Sequence, residues 1–266
     1  MTVRAAVAVW ALVAAGCFRG GWYSVKADRA QAPGLGTPVA LDGSATCPTL
    51  SAEATGPIVA VVHGIGGDVP NVSEVHASLA SLSPRALLAF RWAMYEKTDA
   101  LVARFSGGLN RLVTCTGGSV PIVVLAHSAG GVIASLAANQ LEPPSDSERP
   151  VVVVVTIASP LGGVDRASSR AEWFSKKPFA LELGGKIFRY PAPPQGVQYV
   201  HVRTSPKADA VMQPAPSGHR PDDPRAVVPG ARQHELPEHV GHDDALLWAV
   251  RALTQRSEPF GVTSVD

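Results

Sequence analysis

The sequence predicts an α/β architecture, a mostly parallel, doubly wound sheet flanked by helices. Three observations predict it. Runs of β-branched apolar residues alternate with segments of helical apolar spacing between residues 57 and 254. One such run, PVVVVVTIAS (150–159), has no wet side, which suits a parallel strand buried on both faces. The chain has 266 residues, 46% hydrophobic and 17% charged, enough for one domain with a sizeable core.

The elements follow in order. PIVAVVH (57–63) is a strand closed by Gly64, Gly66 and Gly67. Residues 71–82 space Val72, Val75, Leu79 and Leu82 along one helical face. ALLAFRW (86–92) is the next strand, and 98–113 the next helix, with Leu101, Val102, Phe105, Leu109 and Leu112. PIVVLA (121–126) leads into a helix over 129–141, and 150–159 is the fourth strand. VQYVHVRT (197–204) is the fifth, and 243–254 a closing helix with Leu246, Leu247, Val250 and Leu253. The domain therefore runs over 57–258. Residues 17–56, with Gly20-Gly21 and QAPGLGTP, read as a tether with one early hairpin. Ligands of doubly wound sheets bind at the carboxyl ends of the strands, so those loops are where chemistry is expected.

The first seventeen residues have their own pattern. MTVRAAVAVWALVAAGC places Arg4 before an apolar stretch from Ala5 to Ala15, too short to span a bilayer, which takes about 20 apolar residues. A basic start, a short apolar middle and a small-residue end fit an export signal over 1–16. Ala14-Ala15-Gly16-Cys17 resembles a bacterial lipobox, which implies lipid on Cys17 and an anchor in a membrane of the cell envelope; the alternatives are an ordinary signal peptide cut nearby, giving a secreted protein, or an uncleaved anchor. Export leaves Cys47 and Cys115, which either form a disulfide or stand apart as small core residues. A net charge of +1 without a basic run excludes a phosphate-neutralising surface, and with it nucleic acid as a partner.

The most informative stretch is LAHSAGG (125–131), at the junction of the third strand and its helix. Ala126-His127-Ser128-Ala129-Gly130 follows the nucleophile-elbow pattern G-x-S-x-G, with Ala in the first small position. Small side chains two residues either side let strand and helix approach while the Ser128 hydroxyl projects. The helix start adds free N–H groups and a field that favours a developing oxyanion. VVHGIGG (61–67) is a second Gly-rich loop, without the Gly-Lys-Ser/Thr ending of a phosphate-binding loop. Together these motifs resemble the α/β-hydrolase superfamily, particularly bacterial lipases and esterases with a His-Gly oxyanion loop and an Ala-His-Ser-x-Gly elbow. The resemblance covers about residues 57–255. It implies a serine hydrolase of carboxylic esters, with backbone amides of Ile65 and Ala129 as the oxyanion hole and no cofactor.

A serine is a weak nucleophile and needs a base oriented by a carboxylate, here in the chain order Ser, Asp/Glu, His. The loop HVRTSPKADAVMQP supplies Asp209, with Asp165 in reserve. Gly241-His242-Asp243-Asp244-Ala245 resembles the family's last loop and supplies His242 as the base, with His239 in reserve. His234, His239 and His242 lack the i, i+4 pair or cysteine partners of a metal site, and Pro237 interrupts them. The stretch 161–196 reads as a lid-like insertion. Its Trp173, Phe174 and Phe179 either line an apolar substrate pocket or pack the insertion onto the domain. The same triad would equally serve an acyltransferase or amidase, and a non-catalytic binding protein on this scaffold is the alternative of another class.

Overall fold

The computed structural model describes residues 21–25, 35–39, 41, 47–65, 72–93, 96–142, 150–163, 190–205, 207–209 and 228–255. The leader, Cys17, Asp165, Trp173, Phe174 and Phe179 lie outside them. Eight strands form one sheet: β1 (Gly21–Val25), β2 (Leu35–Val39), β3 (Ile58–Val62), β4 (Ala86–Arg91), β5 (Ile122–His127), β6 (Val152–Ile157), β7 (Val197–Arg203) and β8 (Arg232–Glu235). Among the described residues the helices are α1 (Val72–Ala80), α2 (Thr98–Thr116), α3 (Ala129–Ala138) and α4 (Ala245–Gln255). None of these helices is long and apolar enough to cross a membrane.

The strand order is β2-β1-β4-β3-β5-β6-β7-β8, parallel from β4 through to β8. Every residue of β3 and of β6 is buried because both sheet faces are covered. On one face Val152 and Val154 pack with Leu101, Phe105 and Ile133 of α2 and α3. On the other, Val153, Val155 and Ile157 pack with Leu79 of α1 and Leu246 and Val250 of α4. The period of two along a strand thus divides one valine run between two cores.

The five strands and four helices read from the sequence stand where they were read, with ends shifted by a few residues. The sheet is wider than that reading. Part of the segment 17–56 belongs to the domain: β1 pairs antiparallel with both β2 and β4. Trp22 of β1 is buried, stacked on Phe105 at 4.9 Å and tilted against Phe90 at 5.3 Å. A Cβ at Gly108 would lie 2.1 Å from the Trp22 indole nitrogen, so α2 carries glycine where the ring lies on it. Strand β8 is a short polar edge with no apolar alternation to announce it.

Cys47 and Cys115 are bonded, with Cα atoms 5.7 Å apart. The bridge joins the segment before β3 to the last turn of α2 and closes 68 residues of chain. In the chain-entropy treatment a loop of that length stabilises the fold by about 4 kcal/mol.

The path of the chain creates a crevice. After β3 it moves to β4 on one side, then crosses to β5 on the other. The helices after β3 and β5 lie on opposite faces, so the loops leaving these two adjacent strands diverge. That is the topological switch point where such sheets bind ligands. The loops there are His63-Gly64-Ile65 and the turn at Ser128.

Candidate active site

Ser128 carries the backbone strain of the site. Its φ of 53° and ψ of −130° lie in a region that side-chain-bearing residues rarely adopt. Such a conformation costs about 1–3 kcal/mol and persists only where neighbours over-determine it. They do here. The Ser128 N–H donates to the Ile157 carbonyl at 2.9 Å, and its own carbonyl accepts the Gly131 N–H at 2.9 Å. A Cβ at Gly130 would stand 2.4 Å from the His63 carbonyl oxygen, and one at Gly131 2.0 Å from Ser159 Oγ. Close approach of helix to sheet is therefore enforced at 130 and 131. Ala126 takes the first small position without conflict, its methyl buried in the core.

The facing loop is held by a histidine and a tryptophan. The Trp92 backbone N–H donates to His63 Nε2 at 3.2 Å, so the neutral ring carries its proton on Nδ1. That Nδ1–H donates to the Gly64 carbonyl at 2.6 Å. The Trp92 indole N–H donates back to the His63 carbonyl at 2.9 Å, and the two rings stack at 5.3 Å. In a trans peptide the C=O and the next N–H point in opposite directions. Fixing the Gly64 carbonyl on His63 therefore turns the Ile65 N–H away from that ring. A Cβ at Gly64 would lie 2.8 Å from Ser128 Cβ and 3.3 Å from Ser128 Oγ, which places this loop directly against the serine.

Asp209 is fully buried, and its Oδ2 accepts the Thr204 hydroxyl at 2.7 Å and His242 Nδ1–H at 2.9 Å. The carboxylate selects the His242 tautomer with Nε2 unprotonated. His239, the reserve base, is exposed and packs edge-on against Trp248 at 5.6 Å. His127, inside the elbow motif, makes a long-range contact that nothing in the sequence signals. Its Nε2–H donates to the His242 carbonyl at 2.9 Å, 115 residues along the chain. Burial, then the charge of His242, brings its pKa down to about 3, so the ring is neutral. The sequence also gave no reason to single out Thr204 or Trp92. Among the described residues no cluster of three His, Cys, Asp or Glu side chains could hold a metal ion.

The family model of lipase (class 3) matches residues 40–180, more than half of the chain. The chain belongs to the class 3 lipase family. It is an α/β-hydrolase and a lipase- or esterase-type enzyme, and its family implies a lipid or ester substrate. The matched stretch of this class 3 lipase includes the His63-Gly64 loop and the Ser128 elbow, and ends before Asp209 and His242. No curated protein sequence matches it. Similar solved structures include a Bacillus licheniformis lipase in mature form, 14% identical, covering 73% of this chain and 87% of that one, TM-score 0.49. Aspergillus fumigatus lipase B is 14% identical over 82% of this chain and 57% of its own, TM-score 0.49. An α/β hydrolase from the metagenome of Mar Chica lagoon sediments, Morocco, is 19% identical, covering 73% and 85%, TM-score 0.45.

Proposed function

We propose that this protein hydrolyses carboxylic esters through Ser128, His242 and Asp209. The observation that carries the reading is the His242–Asp209 hydrogen bond, made on a buried carboxylate in the molecule whose Ser128 sits on a strained strand-to-helix turn. Ser128 Oγ attacks the ester carbonyl carbon while His242 Nε2 takes its proton. The negative charge that forms on the carbonyl oxygen is held by the Ile65 and Ala129 N–H groups. His242 then protonates the departing alcohol as its C–O bond breaks, leaving an acyl group on Ser128. Water, deprotonated by the same imidazole, attacks that acyl group; the bond to Ser128 Oγ breaks as His242 returns the proton to it, and the carboxylic acid leaves. Selection of the acyl part would fall to Trp173, Phe174 and Phe179, a reading supported by sequence alone.

A fluorophosphonate probe tests the chemistry. The wild-type protein is expected to be labelled on Ser128 and to turn over p-nitrophenyl esters, whereas Ser128→Ala does neither. A folded wild-type protein that takes no label ends the proposal.

The same reading has the protein exported and anchored through lipid on Cys17. It is supported by the leader pattern and by the Cys47–Cys115 disulfide, which suits an oxidising compartment. In a bacterial host that processes lipoproteins, wild type is expected in the membrane fraction with an acyl adduct on Cys17, and Cys17→Ser in the soluble fraction. Equal partition of the two, with no adduct on the wild type, would count against the anchor.

A further inference from the structure

We infer that His127 is a positioning residue: through its ring Nε2–H it clamps the main chain of the base, His242, to the strand that carries the nucleophile. The inference rests on the hydrolase reading above. Among the described residues, two contacts tie His242 to distant parts of the chain. Its side chain bonds Asp209 and its carbonyl accepts the His127 ring N–H. Next to it lie the local bonds Ala245 N–H to the His242 carbonyl at 3.4 Å and Val240 N–H to the Pro237 carbonyl at 3.0 Å, and the segment enters from β8 through Leu236 N–H to the Arg203 carbonyl at 2.8 Å. Asp209 controls rotation of the imidazole, and buried Val240 and Ala245 seat the flanking chain on the core, but neither the carboxylate nor that packing ties the His242 peptide itself to the elbow. The His127 bond fixes that peptide directly to the elbow, because His127 ends β5 and is adjacent to Ser128 in the chain.

The anchor itself is rigid. β5 is paired on both sides, with β3 and with β6, and Ser128 N–H is bonded to Ile157. The nucleophile and the clamp on the base thus share one fixed piece of backbone, and the separation between Ser128 and His242 no longer depends on the loop. Misplacing a reacting group by about 1 Å can cost on the order of 100-fold in rate, which is the scale this contact guards.

Neutrality is part of the role. The His127 and His242 ring centroids are 4.8 Å apart. When His242 takes the serine proton it becomes a cation, and a second cation at that distance would oppose it. The charged or titratable groups that act on His127 are His242, Asp209 and His63. The bond to the His242 carbonyl and the Asp209 charge favour protonation of His127, and burial outweighs both. With Nε2–H donating, Nδ1 is a lone-pair acceptor, and it has no hydrogen-bond partner among the described residues. That nitrogen lies on the side of Gly64, where a Cβ would come within 3.3 Å of it.

Gln and Met test this as a pair, since they are nearly the same shape and only Gln has an N–H, as many bonds from Cβ as His Nε2. His127→Met is expected to lower kcat about 10- to 100-fold with little change in KM. His127→Gln should recover to within roughly threefold of wild type. Equal activity of the two variants, whether high or low, overturns the clamp. Long-range 1H–15N spectra of the wild-type protein check it without any substitution. They should show His127 as the neutral Nε2–H tautomer from pH 8 down to about pH 5, given its depressed pKa. A ring titrating near its ordinary value of about 6.5, or protonated on Nδ1, overturns it too. Absence of fluorophosphonate labelling on wild type would instead strike the hydrolase reading and leave the tautomer result standing.

Discussion

Asp209→Asn is expected to lower kcat for ester hydrolysis about 10,000-fold, with KM changed little. Two effects of the carboxylate are lost together. Its Oδ2 accepts His242 Nδ1–H at 2.9 Å, which keeps Nε2 free to take the serine proton. An amide that turns its NH2 toward His242 selects the opposite tautomer, and the base is then protonated on the wrong nitrogen. An amide held the other way by the Thr204 hydroxyl, which donates to the same oxygen at 2.7 Å, still lacks the negative charge. The imidazolium formed during attack then has no counter-ion in a site where Asp209 is wholly buried and water screens little. The substrate does not touch Asp209 in this scheme, so ground-state binding is spared. Steady-state rates on a p-nitrophenyl ester, with circular dichroism to verify the fold, make the check. A loss smaller than tenfold would show that Asp209 does not orient the base.

Gly64→Ala should lower kcat/KM about 100- to 1,000-fold while leaving a folded protein. The added methyl would meet Ser128 Cβ at 2.8 Å, closer than real side-chain carbons come. The atom it meets is no flexible tip, because Ser128 is pinned by Ile157 and by the turn into α3. The loop must therefore move instead. It carries the Ile65 N–H, whose direction is set by the His63 bond to the Gly64 carbonyl at 2.6 Å. Retreat of the loop takes one donor of the proposed oxyanion hole away from the carbonyl it would hold. Fluorophosphonate labelling rate and ester turnover should fall in parallel, with thermal unfolding shifted by only a few degrees. Activity within threefold of wild type would mean that the loop has slack and that Gly64 is not where tightness is set.

The core of the fold was legible because its signals are local. Strands β3 and β6 read as unbroken valine-rich runs, and α2 as a periodic face from Leu101 to Leu112, since burial on two faces or on one stripe leaves its period in neighbouring residues. The elbow was legible for a similar reason. Gly130 and Gly131 lack side chains because helix and sheet touch there, and that closeness is a property of a few consecutive positions. The β1–β2 hairpin and β8 were only partly legible or not at all. An edge strand such as Arg232–Glu235 is half in water and owes its pairing to β7, not to its own residues.

By itself, then, the sequence determined the α/β order of elements, the strand-to-helix turn at Ser128 and the Gly-rich loop facing it. The resemblance named Asp209 and His242 as acid and base and left Cys47 and Cys115 open, and the tertiary structure decided how these and other distant groups meet. It paired Asp209 with His242 and Cys47 with Cys115, laid Trp92 on His63, and brought the His127 ring to the His242 carbonyl. These partners lie 29 to 115 residues apart. Nothing in the local spacing of a histidine or an aspartate records what the far side of a sheet will bring to it; strand order and loop path do that.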